Sequence, residues 1–353
     1  MPIAYCPAFG MIIPVFLPHL GCQGRCIYCD QNIITDIGDE NLRTRIEQSL
    51  ATRQGPFEVG LYGGNIFGLK PETLKRLFSY FDSYQATITN FRISTKPVPL
   101  NDKIIGILKE NRVTNIELGI PTFNDQILEF LNRKHTAADL KNAFSVLTGE
   151  GFQVALQVMV GLPHETMSDI RESVTNIINL KPSYIRIYPL AFINGTPLAD
   201  MYKVQKFVPI AFDEAIHRAM LIYLNALQHE IKAVKMGLTD NEVIKEKIIG
   251  GYYHPAFGFL VKSEAFFHAV MAKIAETGFS GEVTVSLNNR DIPHLLGHKR
   301  NNIVRFNEAG LSITWQVNDI PTGTFLLKSG EKKIEGAIFD ALSGGLDQAV
   351  IHS

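Results

Sequence analysis

Three cysteines within eight residues, Cys22-x-x-x-Cys26-x-x-Cys29 in the run HLGCQGRCIYCDQ, are the residues of this 353-residue chain best suited to chemistry. Cysteine thiolates hold iron–sulfur clusters, ordinarily with one cysteine per iron. A cubane of four irons would therefore lack one protein ligand here, and an iron without a protein ligand can bind another molecule. A structural zinc site ordinarily has four protein donors, often in paired short spacings. Here the remaining cysteine is Cys6, well upstream, and no second C-x-x-C follows. His19 could complete a zinc set by spacing, so that alternative stays open. A disulfide framework does not suit four cysteines in a chain of this length, and no secretory signal opens the sequence. Cys6 reads as a packed or free thiol.

The elements that must position the cysteine loop alternate along the chain. Strand-like runs stand at 11–17 (MIIPVFL), 57–62 (FEVGLY), 91–95 (FRIST), 114–120 (TNIELGI), 152–160 (FQVALQVMV) and 183–188 (SYIRIY). Amphipathic helices are expected between them over 40–53, 71–83, 101–110, 123–131, 137–150 and 167–180. Pro71 and Thr136 are helix-start residues, and Gly151 is a stop. This alternation predicts an α/β fold with a parallel sheet and crossover helices, followed by a smaller C-terminal α/β region. In barrels of this kind function gathers at the C-terminal ends of the strands. The cysteine loop follows the first strand, and Gly63-Gly64 follows the second.

The phrases PHLGCQGRCIYCDQ, LYGGNIFGL, FRISTKP, IELGIPTFNDQIL, LNRKHTAADL, LQVMVGLPHET and YIRIYPLAFINGTPL arrive in this order across residues 11–200. In them the chain resembles the radical S-adenosylmethionine (SAM) superfamily. The resemblance is to the branch that includes the Elongator catalytic subunit and, more distantly, oxygen-independent coproporphyrinogen III oxidase. It implies a partial (β/α)6 barrel in residues 1–231, with 232–353 as an accessory domain. It also implies a [4Fe–4S] cluster on Cys22, Cys26 and Cys29, and SAM on the open iron.

The same resemblance assigns SAM contacts residue by residue. Tyr28 would lie against the adenine, and Gly63 and Gly64 would offer backbone carbonyls to the methionyl amino group, where glycine permits close approach. Asn65 stands where relatives commonly have threonine, serine or glutamate, and its amide can still hydrogen-bond. Ser94 and Glu117 occupy positions of polar SAM contacts. Arg133 matches an arginine that reaches the SAM carboxylate, as a guanidinium fork does well. Gln157 and Gly161 belong to the fifth strand, where the GLP phrase lets adenine approach the backbone, and Arg186 and Tyr188 to the sixth. Glu117 and Arg186 each alternate with apolar neighbours. In a sheet covered on both faces an unpaired carboxylate is costly, which favours a functional partner for Glu117. Pro121 replaces the glutamine usual in relatives, so one polar contact is missing there.

By this resemblance a reduced cluster passes one electron to SAM, and the 5′-deoxyadenosyl radical so formed abstracts hydrogen from a substrate. A flavodoxin- or ferredoxin-type donor is the implied partner, and a reducing cytoplasm the implied setting. Composition agrees: 46% hydrophobic and 20% charged residues are ordinary for a globular enzyme. The formal charge of −1 gives no overall basic field, and no apolar stretch is long enough to span a bilayer. A tRNA base is one candidate substrate, although the acetyl-CoA-binding domain of the Elongator relative has no counterpart here. A tetrapyrrole and a protein or small metabolite are the others, and a non-catalytic iron–sulfur protein is the reading without SAM. In the C-terminal region His298, Lys299, Arg300 and Arg305 form the most basic stretch, which reads either as a solvated face or as a phosphate contact. His254, in the YYHPAFG phrase, reads as structural.

Overall fold

The structure is a computed structural model that describes residues 11–31, 42–51, 53, 55–239 and 242–343. Cys6 and residues 40, 41 and 52 of the helix expected over 40–53 lie outside the described residues. Strands form at the β-branched and aromatic runs: β1 (Ile12–Phe16), β2 (Phe57–Tyr62), β3 (Ile88–Thr95), β4 (Val113–Gly119), β5 (Gln153–Val160) and β6 (Ile185–Pro189). Each pairs in parallel with the next. The connections contain α1 (Leu42–Leu50), α2 (Pro71–Ser79), α3 (Asp102–Glu110), α4 (Asp125–Phe130), α5 (Ala137–Gly149) and α6 (Met167–Leu180). Proline opens α2. Capping boxes start α5 and α6, Thr136 with Asp139 and Thr166 with Asp169, each satisfying backbone N–H groups that the first turn leaves open.

Sheet order follows chain order, so the strands form an open half-barrel in place of a doubly wound sheet. The sheet holds one strand more than expected. After β7 (Ala191–Ile193) and α7 (Pro197–Lys203), β8 (Ala233–Met236) joins the edge beside β6. Its run AVKM is short and half-exposed, which is why no periodicity marks it. The Ile185 N–H donates to the Lys232 carbonyl at 2.8 Å and ties that segment in place. β9 (Ile248–Gly251) pairs antiparallel with β7, and α9 (Glu242–Lys247) precedes it.

The two faces of the half-barrel differ in kind. On the outer face Val59, Leu61, Phe91, Ile93, Ile116, Leu118, Leu156 and Ile187 are buried. Phe91 meets Phe78 and Phe81 edge-on, with ring centroids 5.2 and 5.1 Å apart, a geometry that adds about 0.5–1.5 kcal/mol per pair beyond area burial. The alternate residues of the same strands are polar: Glu58, Tyr62, Arg92, Ser94, Glu117, Gln157, Tyr184 and Arg186. They bond between strands that are not neighbours, Arg186 to Tyr62 and Arg92 to Tyr184, which only the concave side allows. The core is thus apolar outside the sheet and polar within it.

The chain divides into two compact units. One takes in the chain up to Pro209 with Ile231–Val234 and Leu238–Tyr253. The other comprises Ile210–Glu230, Lys235–Gly237 and the chain from His254 on. The chain therefore passes between these units several times. The second unit contains α8 (Phe212–Gln228), α10 (Phe257–Thr277), α11 (Ile292–Leu296) and α12 (Asn301–Glu308). Its sheet is built from β10 (Gly281–Leu287), β11 (Leu311–Val317), β12 (Thr324–Ser329) and β13 (Lys332–Ala337), in the order β11-β10-β12-β13. β10 runs parallel to β11 and antiparallel to β12.

Candidate active site

Close backbone approach builds the rim of the site. The cysteine loop leaves β1 and lies against the loop after β2: His19 N–H donates to the Gly63 carbonyl at 3.0 Å, and Asn65 N–H to the Leu20 carbonyl at 2.7 Å. A Cβ on Gly21 would stand 2.1 Å from the Asn65 carbonyl oxygen, and one on Gly68 would stand 2.1 Å from the Gly21 oxygen. Neither position accepts a side chain without moving backbone. These two glycines hold the loops together, and sequence reading missed both, although they lie inside the phrases PHLGCQGRCIYCDQ and LYGGNIFGL.

Asn65 acts as the staple between loops. Its Oδ1 accepts from the Thr95 hydroxyl (2.9 Å) and the Lys96 N–H (3.1 Å), and its Nδ2 donates to the Gly21 carbonyl (3.4 Å). Both ends of the amide are thus engaged by protein, and the residue is buried. These bonds tie the loop after β2 to the loops after β1 and β3.

Cys22, Cys26 and Cys29 are free thiols on one loop. Arg133 NH1 donates to Cys26 Sγ at 3.4 Å, and Gln31 Nε2 donates to Cys29 Sγ at 3.3 Å. Burial pushes the Cys26 thiol up, but the Arg133 guanidinium and Lys96 outweigh it and hold the group below its ordinary value. Burial raises Cys22, and burial together with the nearby Cys26 pushes Cys29 up to about 12. Lys96, in the FRISTKP phrase, is a second cation of the loop that sequence reading passed over.

The donor set fits a cluster better than a single ion. Among the described residues no three His, Cys, Asp or Glu side chains converge on one point that could hold a metal ion. Three thiolates that each take a different iron need no such convergence. His19, the one candidate for a zinc set, has its Nε2 accepting the Gln31 N–H at 3.1 Å.

Arg133 sits at the centre of this geometry. It is buried; its NH2 donates to the Gly119 carbonyl at the end of β4, and its NH1 also reaches the Tyr28 hydroxyl at 3.3 Å. Its Nε, equally buried, has no hydrogen-bond partner. A buried guanidinium N–H without an acceptor is costly, and a ligand carboxylate would satisfy it.

Below the rim, Ser94, Glu117, Gln157 and Arg186 form one connected network. Gln157 Nε2 donates to Ser94 Oγ (3.1 Å) and Glu117 Oε2 (2.7 Å). Arg186 Nε lies 2.8 Å from Glu117 Oε2, and its NH2 donates to Oε1 at 2.9 Å. Tyr184 donates to Oε1 at 2.8 Å. Glu117 is 0% exposed, and the carboxylate for which a partner is expected is paired by protein side chains. Its partners lie 40 to 69 residues away in the chain, beyond the reach of local pattern. Beneath it Arg92 grips Glu58 with two bonds of 2.9 and 3.2 Å and reaches Tyr184 at 2.6 Å. Burial and the Glu117 charge push the Tyr62 and Tyr184 hydroxyls far up, so both stay neutral, Tyr184 donating to Glu117 and Tyr62 accepting from Arg186. Glu58, Tyr62, Arg92 and Tyr184 were missed, yet the polar positions alternating with apolar ones in β2, β3 and β6 carry their signal.

Gly161 has φ +79°, and a Cβ there would stand 2.2 Å from the Tyr252 ring. The Tyr252 ring packs closely against this glycine. Tyr188 lies opposite Met159 in the ladder, and burial raises its hydroxyl.

The Radical SAM superfamily model matches residues 16–177, and the Radical_SAM C-terminal domain model matches 182–266; together they cover more than half of the chain. The chain belongs to the radical SAM superfamily. A radical SAM enzyme carries a [4Fe–4S] cluster, binds SAM and needs a reductant. An uncharacterized protein of Methanocaldococcus jannaschii is 28% identical over 193 residues, 53% of this chain and 58% of that protein. The tRNA uridine(34) acetyltransferase of the same archaeon is 28% identical over 51% of this chain and 33% of its own length. The heme chaperone HemW of Bacillus subtilis is 27% identical over 48% of each. The chain thus spans a third to under three-fifths of the length of these relatives. Among solved structures, Methanocaldococcus infernus Elp3 with an N-terminal deletion superposes with a TM-score of 0.55 at 20% identity, covering 76% of this chain and 63% of that one. That likeness shows a shared fold. No helix among the described residues is long and apolar enough to cross a membrane.

Proposed function

We propose that Cys22, Cys26 and Cys29 ligate three irons of the cluster, that the SAM carboxylate takes the Nε edge of Arg133, and that the substrate is a base of tRNA. The observation that carries this reading is Arg133, a buried cation bonded to Cys26 on one edge and without a partner on another. When bound, the cluster and SAM together supply a 5′-deoxyadenosyl radical that abstracts hydrogen. The chain's own residues hold and orient. Gly63 keeps one carbonyl lone pair on His19 and has the second for the methionyl amino group, with the Gly64 carbonyl beside it. Tyr28 lends a ring for adenine, and Gly161 and Tyr188 flank the same mouth. Ser94, Glu117, Gln157 and Arg186 act as a fixed polar floor that leaves no carboxylate loose beside a radical.

Residues within 1–231 carry SAM chemistry in this reading, and 232–353 handle substrate. The electron donor is a flavodoxin or ferredoxin, as a cytoplasmic enzyme would use. A tRNA base is supported by the similarity to the tRNA uridine(34) acetyltransferase. A tetrapyrrole is the second reading, supported by the similarity to the heme chaperone. The test is anaerobic cluster reconstitution, then reduction with SAM, counting methionine and 5′-deoxyadenosine with and without unfractionated tRNA. Equal amounts of both products, raised by tRNA and absent from a Cys22/Cys26/Cys29 triple alanine variant, are expected. Turnover indifferent to tRNA, with haem retained on the purified protein, would favour the tetrapyrrole.

A further inference from the structure

The turn His298-Lys299-Arg300 in the second unit is exposed and strained. Lys299 has φ 51°, ψ 30° and Arg300 has φ 64°, ψ 25°. They are the only consecutive pair of non-glycine residues with positive φ among the described residues. L-residues avoid this region, and a pair persists only where surroundings fix it. Here they do. Asn302, buried just beyond the turn, donates through Nδ2 to the Ser263 carbonyl of α10 (3.0 Å) and the His294 carbonyl of α11 (3.1 Å). A Cβ on Gly297 would stand 2.8 Å from the Asn302 side chain, so the turn is clamped at its base.

The side chains this turn presents are cationic and planar. Arg300 lies over the Trp315 ring at 5.4 Å, and Trp315, half-buried on β11, is the only tryptophan of the chain. The His298 ring stands edge-on to His254 at 5.5 Å. His254 Nδ1 accepts the Ala256 N–H at 3.1 Å, and the ring is half-buried. None of these side chains has a carboxylate partner among the described residues. Arg305 differs: it is bonded to Glu264 at 2.7 and 3.0 Å and lies over Phe267, so its charge is already partnered.

We propose that His254, His298, Lys299, Arg300 and Trp315 form a docking surface for the phosphate backbone and bases of single-stranded RNA. Cations without counter-charge attract phosphates, and guanidinium, imidazole and indole planes give bases faces to stack on. A lipid headgroup would use the charges and leave the planes idle, which is why RNA is the better fit. The inference rests on the tRNA reading above only for the choice of polymer.

Trp315 is its own reporter. Full-length protein is titrated with unfractionated tRNA at several salt concentrations, following Trp315 emission and, separately, filter retention of labelled tRNA. Emission should fall on binding. Lys299→Asn with Arg300→Asn, two changes that tolerate left-handed backbone, should weaken retention about 10-fold near physiological salt and flatten the salt dependence by about two phosphate contacts. Circular dichroism matching the wild type keeps that comparison valid, and the single Lys299→Asn variant, which leaves Arg300 on the indole, should show a smaller loss in both readouts. Retention of tRNA with unmoved Trp315 emission and no effect of the variants would overturn the surface while sparing the tRNA reading. No retention by wild-type protein would overturn both. Emission that responds to phosphatidylglycerol vesicles and not to tRNA would reassign the surface to a membrane.

Discussion

The half-barrel interior and the basic turn of the second unit treat charge in opposite ways. Inside the half-barrel, Glu58 and Glu117 face Arg92 and Arg186 in equal number, with tyrosines and Gln157 taking the remaining bonds. On the turn, Lys299 and Arg300 have no acidic partner among the described residues. Water cannot reach Glu117, so any imbalance there would be heavily penalised, whereas the exposed turn is solvated and can keep its charges free. Compensated charge marks a scaffold, and uncompensated charge marks a place that waits for something. At the boundary between these regimes stands Arg133, buried yet with one donor open.

The largest expected effect breaks the site outright. Replacing any one of Cys22, Cys26 or Cys29 by alanine should remove most bound iron after anaerobic reconstitution, read by iron content and absorbance. Retained iron with SAM cleavage would exclude that cysteine as a ligand. Cys6→Ala should leave the iron in place.

Next comes the balance of the interior. Glu117→Ala leaves Arg186 buried without its carboxylate, and breaking such a pair costs about 3–5 kcal/mol. Urea denaturation should show that loss with the denaturant slope unchanged. Glu117→Ala combined with Arg186→Met should recover much of it, because a buried pair contributes little beyond well-packed apolar replacements. A double variant no better than the single one would show that Arg92 and Tyr184 hold the network without Arg186.

Acid should separate the two units. Burial, with Arg133 beside it, holds the His135 imidazole down to about 3, well below its ordinary value. The unfolded chain then binds a proton that the folded chain refuses, so stability from this group falls as pH drops from about 6.5 toward 3. In the second unit burial pushes the Glu264 carboxyl up, but hydrogen bonds from His268 and Arg305 outweigh it and hold the group down to about 2. Its contribution, up to about 3 kcal/mol, is complete above about pH 4.5 and is lost as pH falls toward 2. Hydrogen exchange across pH 7 to 3 should therefore show the half-barrel loosening first. His135→Phe should delay that loosening, and Glu264→Gln should remove the later step in the second unit.

How much of this was legible in the sequence follows from distance along the chain. Local signals sufficed for β1 to β6: β-branched runs ended at Gly63, Gly119 and Gly161, and Thr136 opened α5 as its capping chemistry requires. The alternation around Glu117 and Arg186 correctly turned both residues inward. What it could not tell was that they face one another, since that pairing depends on sheet curvature bringing β4 and β6 side chains together. The same limit hid Tyr252, which fills the space above Gly161, and β8, whose four residues carry no pattern of their own. Helix α8 drew no expectation because it is buried around most of its circumference, eight apolar residues together with His217 and Arg218, and a helix buried on all sides lacks the one-sided stripe that sequence reading looks for. Strain at Lys299 was equally invisible, because a left-handed lysine looks in sequence like any other.

That strain supplies the smallest and most discriminating prediction. Left-handed backbone costs an L-residue about 1–2 kcal/mol, and glycine escapes it while losing up to about 1 kcal/mol through its freer unfolded chain. Lys299→Gly should therefore stabilise the protein by roughly 0.5–1 kcal/mol, read from the urea midpoint, and weaken tRNA retention at the same time. A charge that merely decorates a solvated face would give the stabilisation with retention unchanged. A turn relaxed by its surroundings would give neither. The proposed docking surface requires both, because only a bound partner explains keeping a cation on backbone that a glycine would occupy more comfortably.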